Sequence, residues 1–536
     1  MPSSPSNAEL AAALDEYAAL LDVSGANSYA TRAYRRAAGL IRDTPAEVTA
    51  LVREGRVRKL RGIGPGIEQR LRELVETGRI AELDELRDGV SLELAAFGRM
   101  HGFSAQRFVA IGASLGIRTV AELRDAAERG RLREVPGIGP STEASIIAAL
   151  DAPSRRPAGS LLLHQAREIC ARVAGALDGV TAGDPRRWMD TPARLAVVVA
   201  TEKPDEVLRR FADLPDIVAL IEPSIGVTVD GTPIELVTTP PSALGSALLR
   251  ATGAHDWVAA LEPLPPAADE ESLFRQLGRP FVPPELREEA APPPPADLVE
   301  MEHIRGDLHC HTTWSDGRAT VRELAEAALA RGYDYVAVCD HTTNVGVVPG
   351  LDADALRRQA AEIEEVNAEV APFRVLRGIE CDILADGRLD LPDDVLAELD
   401  WVQISVHAGQ RTPRAELTAR VIHAMQHPAA RCLSHPTGRI IGHRPENRLD
   451  LDRTIETAVQ TGVALEVNGL PSRLDLSGEH VREVIAAGAD IVCSSDAHSV
   501  AGLDSMVYAV HTARRGGVPR SALVNARPLD ELTRTG

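Results

Sequence analysis

Apolar and polar positions follow two different rhythms along the chain. Up to about residue 150, apolar side chains recur at helical spacing, as in AELAAALDEYAALLDV, and YATRAYRRAAGLIRDT adds a basic helix face. From about residue 305, short apolar runs alternate with helical stretches. These runs are YDYVAVCDHT, FRVLRGIECDIL, DWVQISVHAG, RCLSHPTGR, GVALEVNG and DIVCSSDAHS. The first rhythm predicts an all-helical region, and the second predicts a parallel α/β barrel or sheet.

A third pattern lies between these two regions. The apolar strands RLAVVVAT and IELVTT alternate with helical runs, which predicts an α+β domain. The stretch PPELREEAAPPPPADLVE follows, and its prolines disfavour both helix and strand, as in a linker. At 536 residues the chain is too long for a single core. The predicted regions are 1–150 (helical), 159–285 (α+β), 286–304 (Pro-rich linker) and 305–536 (barrel).

Two stretches of the helical region share a GIG turn between helices: LRGIGPGIEQRLREL and VPGIGPSTEASIIAAL. Glycine permits a tight turn and close approach of the backbone to an outside group, and the amides of the following helix suit a phosphate. The pattern resembles the helix-hairpin-helix motif, which implies DNA backbone binding without sequence readout. The alternative is an ordinary helix connection. The glycines concerned are Gly62, Gly64, Gly66, Gly137 and Gly139.

The stretch GDLHCHTTWSDG contains two histidines and an aspartate that could bind a metal ion. On a strand, His309 and His311 point to the same face while Cys310 points away. Further ligand-type residues stand at the ends of the later strands, where parallel barrels build their active sites. The full set is His309, His311, Asp316, His341, Glu380, His407, His435, Asp496 and His498. Nine such side chains exceed the needs of one ion, so they predict two or three metal ions in one cleft.

Across residues 305–536 the motifs HxH, DH, E, H, HPTG and DAH occur in the order typical of the PHP (polymerase and histidinol phosphatase) domain, which this region resembles. The resemblance implies a distorted (β/α)7 barrel that holds a trinuclear centre of Mn²⁺ or Zn²⁺. It implies a first metal on His309, His311, Glu380 and Asp496, a second on Glu380, His407 and His435, and a third on Asp316, His341 and His498.

Clustered metals of this kind suit phosphoester hydrolysis, because they acidify a water and neutralise phosphoryl charge. Glu380 and Asp496 are therefore expected to be catalytic. Arg439 in HPTGR and Arg473 in LPSRLDL are candidates to clamp a phosphate, with a structural salt bridge as the alternative for each.

The order of the three regions resembles the bacterial family X DNA polymerase/3′–5′ exonuclease along nearly the whole chain. The resemblance implies that residues 159–285 form a nucleotidyltransferase-like palm and thumb. Polymerases need three carboxylates around two Mg²⁺ ions. At these positions the chain has Arg194, Ala196 and Glu235, and Trp188 stands where the family has glycine. We therefore expect the fold to persist and the polymerase to be inactive.

Composition and charge bear on the protein's partners and its location in the cell. The net charge is −20, which argues against nonspecific coating of DNA by the whole molecule, although residues 1–150 hold about 20 basic and about 20 acidic side chains. The six cysteines include no CxxC pair, so we expect small buried side chains. No apolar run approaches the roughly 20 residues of a membrane span, and MPSSPSNAEL resembles no secretory signal. The expected location is the cytoplasm.

These patterns together predict a metal-dependent DNA phosphoesterase, a 3′–5′ exonuclease acting in DNA repair on primer termini or gaps. Incision at abasic sites and 3′-end processing are related possibilities. Residual DNA polymerase activity is disfavoured by the missing palm aspartates. A small-molecule phosphatase of the histidinol phosphate type would leave the GIG hairpins idle, and a non-catalytic DNA-binding scaffold would need decay among the ligands. The sequence specifies no oligomeric state.

Overall fold

The computed structural model describes residues 5–25, 28–43, 47–60, 62–151, 161–228, 231–288, 291–345 and 348–532. The chain forms two compact units, each assembled from several stretches. The first comprises residues 1–158, 169–180 and 194–241, and the second comprises residues 159–168, 181–193 and 242–536. The domain boundaries expected from the sequence stay a prediction.

The N-terminal part of the first unit is helical, as predicted. Its first helix starts with a capping box, in which Ser6 Oγ accepts the amide of Glu9 and the Glu9 carboxylate accepts the amide of Ser6. The helix ends at Gly25, which has a positive φ of 84°. The helices are α1 (Asn7–Ser24), α2 (Ser28–Asp43), α3 (Val48–Arg53), α4 (Pro65–Thr77), α5 (Ala81–Gly89), α6 (Leu92–Met100), α7 (Ala105–Leu115), α8 (Val120–Glu128) and α9 (Pro140–Asp151).

A mixed sheet follows the helices. Its strands are β1 (Val180–Gly183), β2 (Leu195–Ala200), β3 (Ile217–Glu222), β4 (Ile225–Thr228) and β5 (Pro233–Thr239), in the order β1-β2-β5-β4-β3. Strands β2 and β5 are parallel, while β4 is antiparallel to both β3 and β5. The accompanying helices are α10 (Leu163–Leu177) and α11 (Pro204–Ala212). The run of β-branched residues in β2 is buried along most of its length, which explains why this segment forms a strand.

The second unit contains a barrel of seven parallel strands. They are β6 (Gly306–Cys310), β7 (Tyr335–Val338), β8 (Arg374–Asp382), β9 (Trp401–Ser405), β10 (Cys432–Leu433), β11 (Ala464–Asn468) and β12 (Ile491–Ser494), with the order β12-β11-β10-β9-β8-β7-β6. The first and last strands approach each other, since the amide of His311 donates to the carbonyl of Ala497 at 2.8 Å. The predicted distorted (β/α)7 barrel is confirmed.

Helices cover the outside of this barrel and precede it in the chain. Those before the barrel are α12 (Leu244–Thr252), α13 (His255–Ala259) and α14 (Glu270–Gln276). Those within it are α15 (Val321–Ala330), α16 (Ala353–Val370), α17 (Asp393–Leu396), α18 (Arg414–Met425), α19 (Leu451–Thr461), α20 (Gly478–Ala487), α21 (Met506–Arg515) and α22 (Leu529–Leu532). A continuous core lies between strands and helices, and it includes Val338, Ile379 and Leu465.

The predicted Pro-rich linker is attached to the barrel. The carboxylate of Glu288 accepts hydrogen bonds from Arg482 at 3.0 Å and Arg515 at 2.7 Å. Further on, the amide of Val299 donates to the carbonyl of Val518 at 2.9 Å. This segment is therefore pinned along the barrel surface rather than free to act as a loose spacer.

Two predictions from composition can be compared with the structure. All six cysteines are buried and free of disulfides, as expected for small apolar side chains. Within the described ranges, no helix is both long enough and apolar enough to cross a lipid bilayer.

A buried ion cluster in the second unit predicts acid-dependent stability. Arg186 donates to both oxygens of Glu270, at 2.8 and 2.7 Å, and the fully buried Arg287 donates to the same carboxylate. Burial opposes ionisation of Glu270, but the two guanidiniums outweigh it and lower its pKa from 4.5 to about 2. The stabilisation is complete above pH 4.5 and is lost as the pH falls through about 2.

We expect Glu270→Gln to cost about 3 kcal/mol of unfolding free energy near neutral pH, because the buried Arg287 and the partly buried Arg186 lose their counter-charge. The melting temperature should fall by about 5 °C. The variant should also lose less stability than the original protein between pH 4.5 and pH 2. Glu271→Gln, an exposed position on the same helix, is the matched control. Equal melting temperatures for Glu270→Gln and its control would contradict this account.

Candidate metal centre

The nine ligand-type residues predicted from strand ends meet at the carboxyl end of the barrel. His309 lies in β6 and Glu380 lies in β8, while the other seven follow strands in the connecting loops. Those seven are His311 and Asp316 after β6, His341 after β7, His407 after β9, His435 after β10, and Asp496 and His498 after β12. The carboxyl ends of parallel strands share one face of a barrel, which brings these distant positions together.

Glu380 occupies the middle of the cluster. Its Oε2 atom lies 2.9 Å from Nδ1 of His341 and 3.5 Å from Nε2 of His309. Its Oε1 atom lies 2.9 Å from Nε2 of His435 and 3.4 Å from Nε2 of His407. Each carboxylate oxygen therefore faces a different pair of imidazoles, which is the arrangement a bridging carboxylate requires.

Two further groups of donors flank Glu380. On one side, the Nε2 atoms of His309 and His311 are 3.1 Å apart, and Oδ1 of Asp496 lies 3.2 Å from Nε2 of His311. On the other side, Oδ1 of Asp316 lies 3.6 Å from Nε2 of His341, and its Oδ2 lies 3.3 Å from Nε2 of His498. Three groups could hold an ion: His309 with His311 and Asp496, His341 with Glu380 and His407, and His311 with Asp316, His341 and His498.

The donor atoms of the cluster are spaced as ligands of divalent ions are, and some of them lack hydrogen-bond partners. His311 Nδ1 and His435 Nδ1 are buried, and neither has a hydrogen-bond partner within the described ranges. Such orphaned atoms cost about 1–3 kcal/mol each unless something satisfies them. Nitrogen and oxygen ligands at about 2.0–2.2 Å from zinc in a tetrahedral site stand roughly 3.3–3.6 Å apart, close to the separations seen here.

Charge in the cluster is arranged for cations. Burial opposes ionisation of Glu380, but His407, His341 and His309 outweigh it and hold its pKa well below the usual range. Burial likewise opposes the charged form of His341, yet Glu380 and the neighbouring aspartate raise its pKa to about 10. Burial and the neighbouring histidines lower the pKa of His311 to about 4. Protons now held between carboxylates and imidazoles would be displaced by bound metal.

Glu466 on β11 orients two of the ligands and was missed by the sequence reasoning. Its Oε1 atom lies 2.6 Å from Nδ1 of His309, which leaves Nε2 of that ring facing the centre. The same oxygen accepts from Gln403 at 3.0 Å and from Ser494, and Oε2 accepts the amide of His435 at 2.6 Å. The signal in the sequence was a glutamate between apolar residues in the buried strand ALEVN.

Two other buried polar residues fix two further ligands. Asp382 accepts the amide of His407 at 3.1 Å, and Asn468 donates to Oδ2 of Asp496 at 2.9 Å. His435 and Asp496 both have positive φ, 25° and 51°, which side-chain-bearing residues rarely adopt. Backbone strain of this kind persists where surrounding contacts enforce it, and it is common at functional sites.

The two arginines expected to clamp phosphate differ in their surroundings. Arg473 has Nε 4.0 Å from Oδ2 of Asp496, and its buried Nη1 has no hydrogen-bond partner in the described part of the chain. Arg439 instead donates to the carbonyls of Arg473, at 2.8 Å, and Leu474, and it pairs with Asp190 at 2.8 Å. Only Arg473 presents its guanidinium to the metal ligands.

Both GIG turns have the same construction. Gly62 and Gly137 have φ values of 108° and 86°, which the turn requires and which favour glycine. The isoleucine between the glycines, Ile63 or Ile138, is buried and anchors the turn. The following helices, α4 and α9, both start at proline.

The glycines that precede these helices are open to the outside. The carbonyl of Gly64 accepts the amide four residues on at 2.9 Å, and so does that of Gly139. A Cβ atom at either position would meet nothing within 4 Å, and Gly64 offers α4 no side-chain cap. Gly64 therefore leaves the first amides of α4 without an N-cap side-chain acceptor, as a phosphate-binding helix end requires. Gly66, also predicted to contact DNA, lies in the first turn of α4.

The predicted palm positions carry an ion pair. Nη2 of Arg194 lies 3.3 Å from Oε2 of Glu235. Ala196 is buried and is the register partner of Glu235 on the neighbouring strand. In the described part of the chain, every group of three or more side chains suited to a metal ion lies in the barrel.

Three family models match parts of the chain. Residues 5–80 match a helix-hairpin-helix domain model, residues 105–152 match a SAM-like helix-hairpin-helix tandem, and residues 307–468 match the PHP domain. The chain is 31% identical to the DNA polymerase/3′-5′ exonuclease PolX of Bacillus subtilis, over 97% of each protein. It is 30% identical to a probable phosphatase of Acetivibrio thermocellus, over 36% of this chain and 78% of that protein.

A probable phosphatase of Syntrophotalea carbinolica is 27% identical, over 41% of this chain and 90% of that protein. The PHP match ends at residue 468, yet Asp496 and His498 lie within hydrogen-bonding or ion-pairing distance of ligands inside it. The geometry thus extends the candidate centre to the last strand of the barrel.

Proposed function

The chain belongs to the family of the DNA polymerase/3′–5′ exonuclease PolX, and on that premise we propose that its barrel is a metal-dependent DNA phosphoesterase. The observation that carries the proposal is Glu380, whose two oxygens face four imidazoles within 3.5 Å. We propose that two or three Mn²⁺ or Zn²⁺ ions bind there. The ligands are His309, His311, Asp316, His341, Glu380, His407, His435, Asp496 and His498.

The side chains of the barrel have distinct parts in this reaction. Bound ions supply an acidified water and neutralise charge on the phosphoryl group. Glu380 and Asp496 present carboxylate oxygens on either side of His309, and Glu466 fixes that ring by bonding its other nitrogen. The Arg473 guanidinium, whose Nε lies 4.0 Å from Oδ2 of Asp496 and whose side chain is 20% exposed, is placed to donate to a non-bridging phosphate oxygen. Arg439 has no part in this contact, because its guanidinium is bound to carbonyl groups.

We propose DNA as the substrate, with strands shortened from the 3′ end at primer termini or gaps during repair. The hairpins at Gly62–Gly66 and Gly137–Gly139 support this, since helix N-termini with open amides bind backbone phosphate. The similarity to the exonuclease of Bacillus subtilis supports the direction of degradation. Incision at abasic sites and removal of 3′-blocking groups use the same chemistry on related substrates.

We further propose that the polymerase is inactive. A two-metal polymerase site needs several carboxylates, and here Arg194 places a cation against the one that remains, Glu235. Trp188 fills the family's glycine position, where it stacks 3.7 Å from the ring of His511, and the guanidinium of Arg167 lies 3.5 Å from the Trp188 ring. The indole stands where a glycine would let the backbone approach a bound group closely, which supports loss of nucleotide binding.

The test uses the purified full-length protein, Mn²⁺ and a 5′-labelled primer annealed to a longer template. We expect shortening of the primer from its 3′ end, complete loss of this activity with a chelator, and no longer products when deoxynucleotides are added. Templated extension by homogeneous protein would show that the palm is active. Absence of any DNA cleavage with Mn²⁺ or Zn²⁺ would refute the phosphoesterase proposal.

A small-molecule phosphatase is the second candidate, favoured by the similarity of the barrel region to probable phosphatases. The two candidates differ in substrate preference. A DNA phosphoesterase should have a far higher kcat/KM on a DNA terminus than on a small phosphomonoester such as p-nitrophenyl phosphate. The opposite ranking would favour the phosphatase.

A further inference from the structure

Asp190 lies in the segment RRWMDT, inside the predicted α+β region of residues 159–285. Residues 181–193 nevertheless belong to the same compact unit as the barrel. Oδ2 of Asp190 lies 2.8 Å from Nη2 of Arg439, and both side chains are largely buried, at 18% and 12% exposed. A largely buried carboxylate–guanidinium contact fixes both partners more firmly than a surface pair does.

Arg439 uses its remaining donors on the main chain of a neighbouring turn. Its Nε donates to the carbonyl of Arg473 at 2.8 Å, and its Nη2 donates to the carbonyl of Leu474. Leu474 is fully buried and has a φ of 45°, so this turn holds a conformation that a leucine rarely adopts. Two charge-assisted hydrogen bonds from one guanidinium hold the turn in that shape.

The side chain presented by this turn is that of Arg473. Its Nε lies 4.0 Å from Oδ2 of the metal ligand Asp496, and its buried Nη1 has no partner among the described residues. A cation that stands beside a ligand carboxylate and is 20% exposed is suited to a phosphate oxygen. The direction of the Arg473 guanidinium depends on the conformation of the turn, which the hydrogen bonds from Arg439 stabilise.

The segment that carries Asp190 is itself firmly attached. Trp188 stacks on His511 at an interplanar angle of 5°. Nη2 of Arg187 donates to Asp184 at 2.6 Å, and Oδ2 of Asp184 accepts the amide of Ala193 at 2.8 Å. Because these contacts hold the backbone on both sides of Asp190, the Asp190 carboxylate has a defined position from which to bind Arg439.

We propose that Asp190 is a positioning residue for the phosphoesterase: it fixes Arg439, which holds the turn that aims Arg473 at the substrate phosphate. The inference rests on the proposed function and deepens it. A segment of the predicted α+β region thereby supports the phosphoesterase site of the barrel.

The test compares Asp190→Asn, Arg473→Ala and the double variant in the full-length protein. The substrate is bis(p-nitrophenyl) phosphate with saturating Mn²⁺, so that DNA affinity does not enter. We expect Asp190→Asn to lower kcat/KM about tenfold, mainly through KM, with unchanged metal content. In the Arg473→Ala background, Asp190→Asn should cause no further loss, because it acts through Arg473. Asp190→Glu should restore part of the activity.

Glu446→Gln is the matched control, because Glu446 approaches the same guanidinium only at 3.9 Å and is 42% exposed. It should leave kcat/KM unchanged. The inference is overturned if Asp190→Asn retains full activity or if its effect adds fully to that of Arg473→Ala. Loss of bound metal from Asp190→Asn would also overturn it. Failure of the proposed function looks different: Glu380→Gln would then still hydrolyse the diester.

Discussion

Glu380→Gln should reduce DNA hydrolysis by at least about a thousandfold. A bridging carboxylate contributes charge and ligand atoms to two ions, so its loss removes several kcal/mol of transition-state stabilisation. The amide is nearly the same size but carries no charge, and four imidazoles face it. Bound Mn²⁺ per protein molecule should fall together with the activity.

The measurement pairs DNA hydrolysis rates with metal content determined by atomic emission. DNA affinity of the variant should stay near that of the original protein, because the hairpins lie outside the barrel region of the sequence. Glu365→Gln, at an exposed position of α16, is the matched control and should change neither quantity. A Glu380→Gln protein with normal activity would place the active site elsewhere.

The barrel and its ligands could be predicted because their pattern lies in the local sequence. Six of the seven strands carry or precede a His, Asp or Glu ligand where an apolar run meets polar residues, as in VCDHT around His341 and CSSDAHS around Asp496. In a parallel barrel those ends share one face, so nine separate positions imply one site. The structure brings all nine together in that way.

The supporting contacts could not be predicted, because they depend on which side chains meet across the fold. Glu466 lies within an apolar strand, and only its distance of 2.6 Å from His309 shows that it orients a ligand. Arg439 and Arg473 both looked suited to phosphate, since both stand in polar loops after strands. Only the carbonyls that receive the guanidinium of Arg439 distinguish the two. The sequence specifies which residue stands in a loop, whereas the direction of that residue's side chain depends on packing across the fold.

The double variant Gly64→Asp/Gly139→Asp should weaken duplex DNA binding at least about a hundredfold and slow DNA degradation accordingly. Hydrogen bonds from helix amides to a charged phosphate contribute about 1.5–3 kcal/mol, and two hairpins would be affected. An aspartate at the start of the helix accepts the same amides and repels the phosphate. Neither position has a positive φ, and a Cβ there meets nothing within 4 Å, so the fold should persist.

The design separates binding from folding, because the two effects have opposite signs. Aspartate is a better helix cap than glycine, so the variant should melt at the same or a slightly higher temperature while it binds DNA more weakly. Gly64→Ala/Gly139→Ala at the same positions adds only methyl groups and should retain most of the affinity. Loss of binding should be equal for unrelated duplex sequences, since backbone contacts read no bases.

Hydrolysis of bis(p-nitrophenyl) phosphate should be unchanged, because every proposed metal ligand lies beyond residue 305. If the aspartate variant bound DNA normally at physiological salt, the hairpins would be structural turns, and the barrel would have to hold its polyanionic substrate without them.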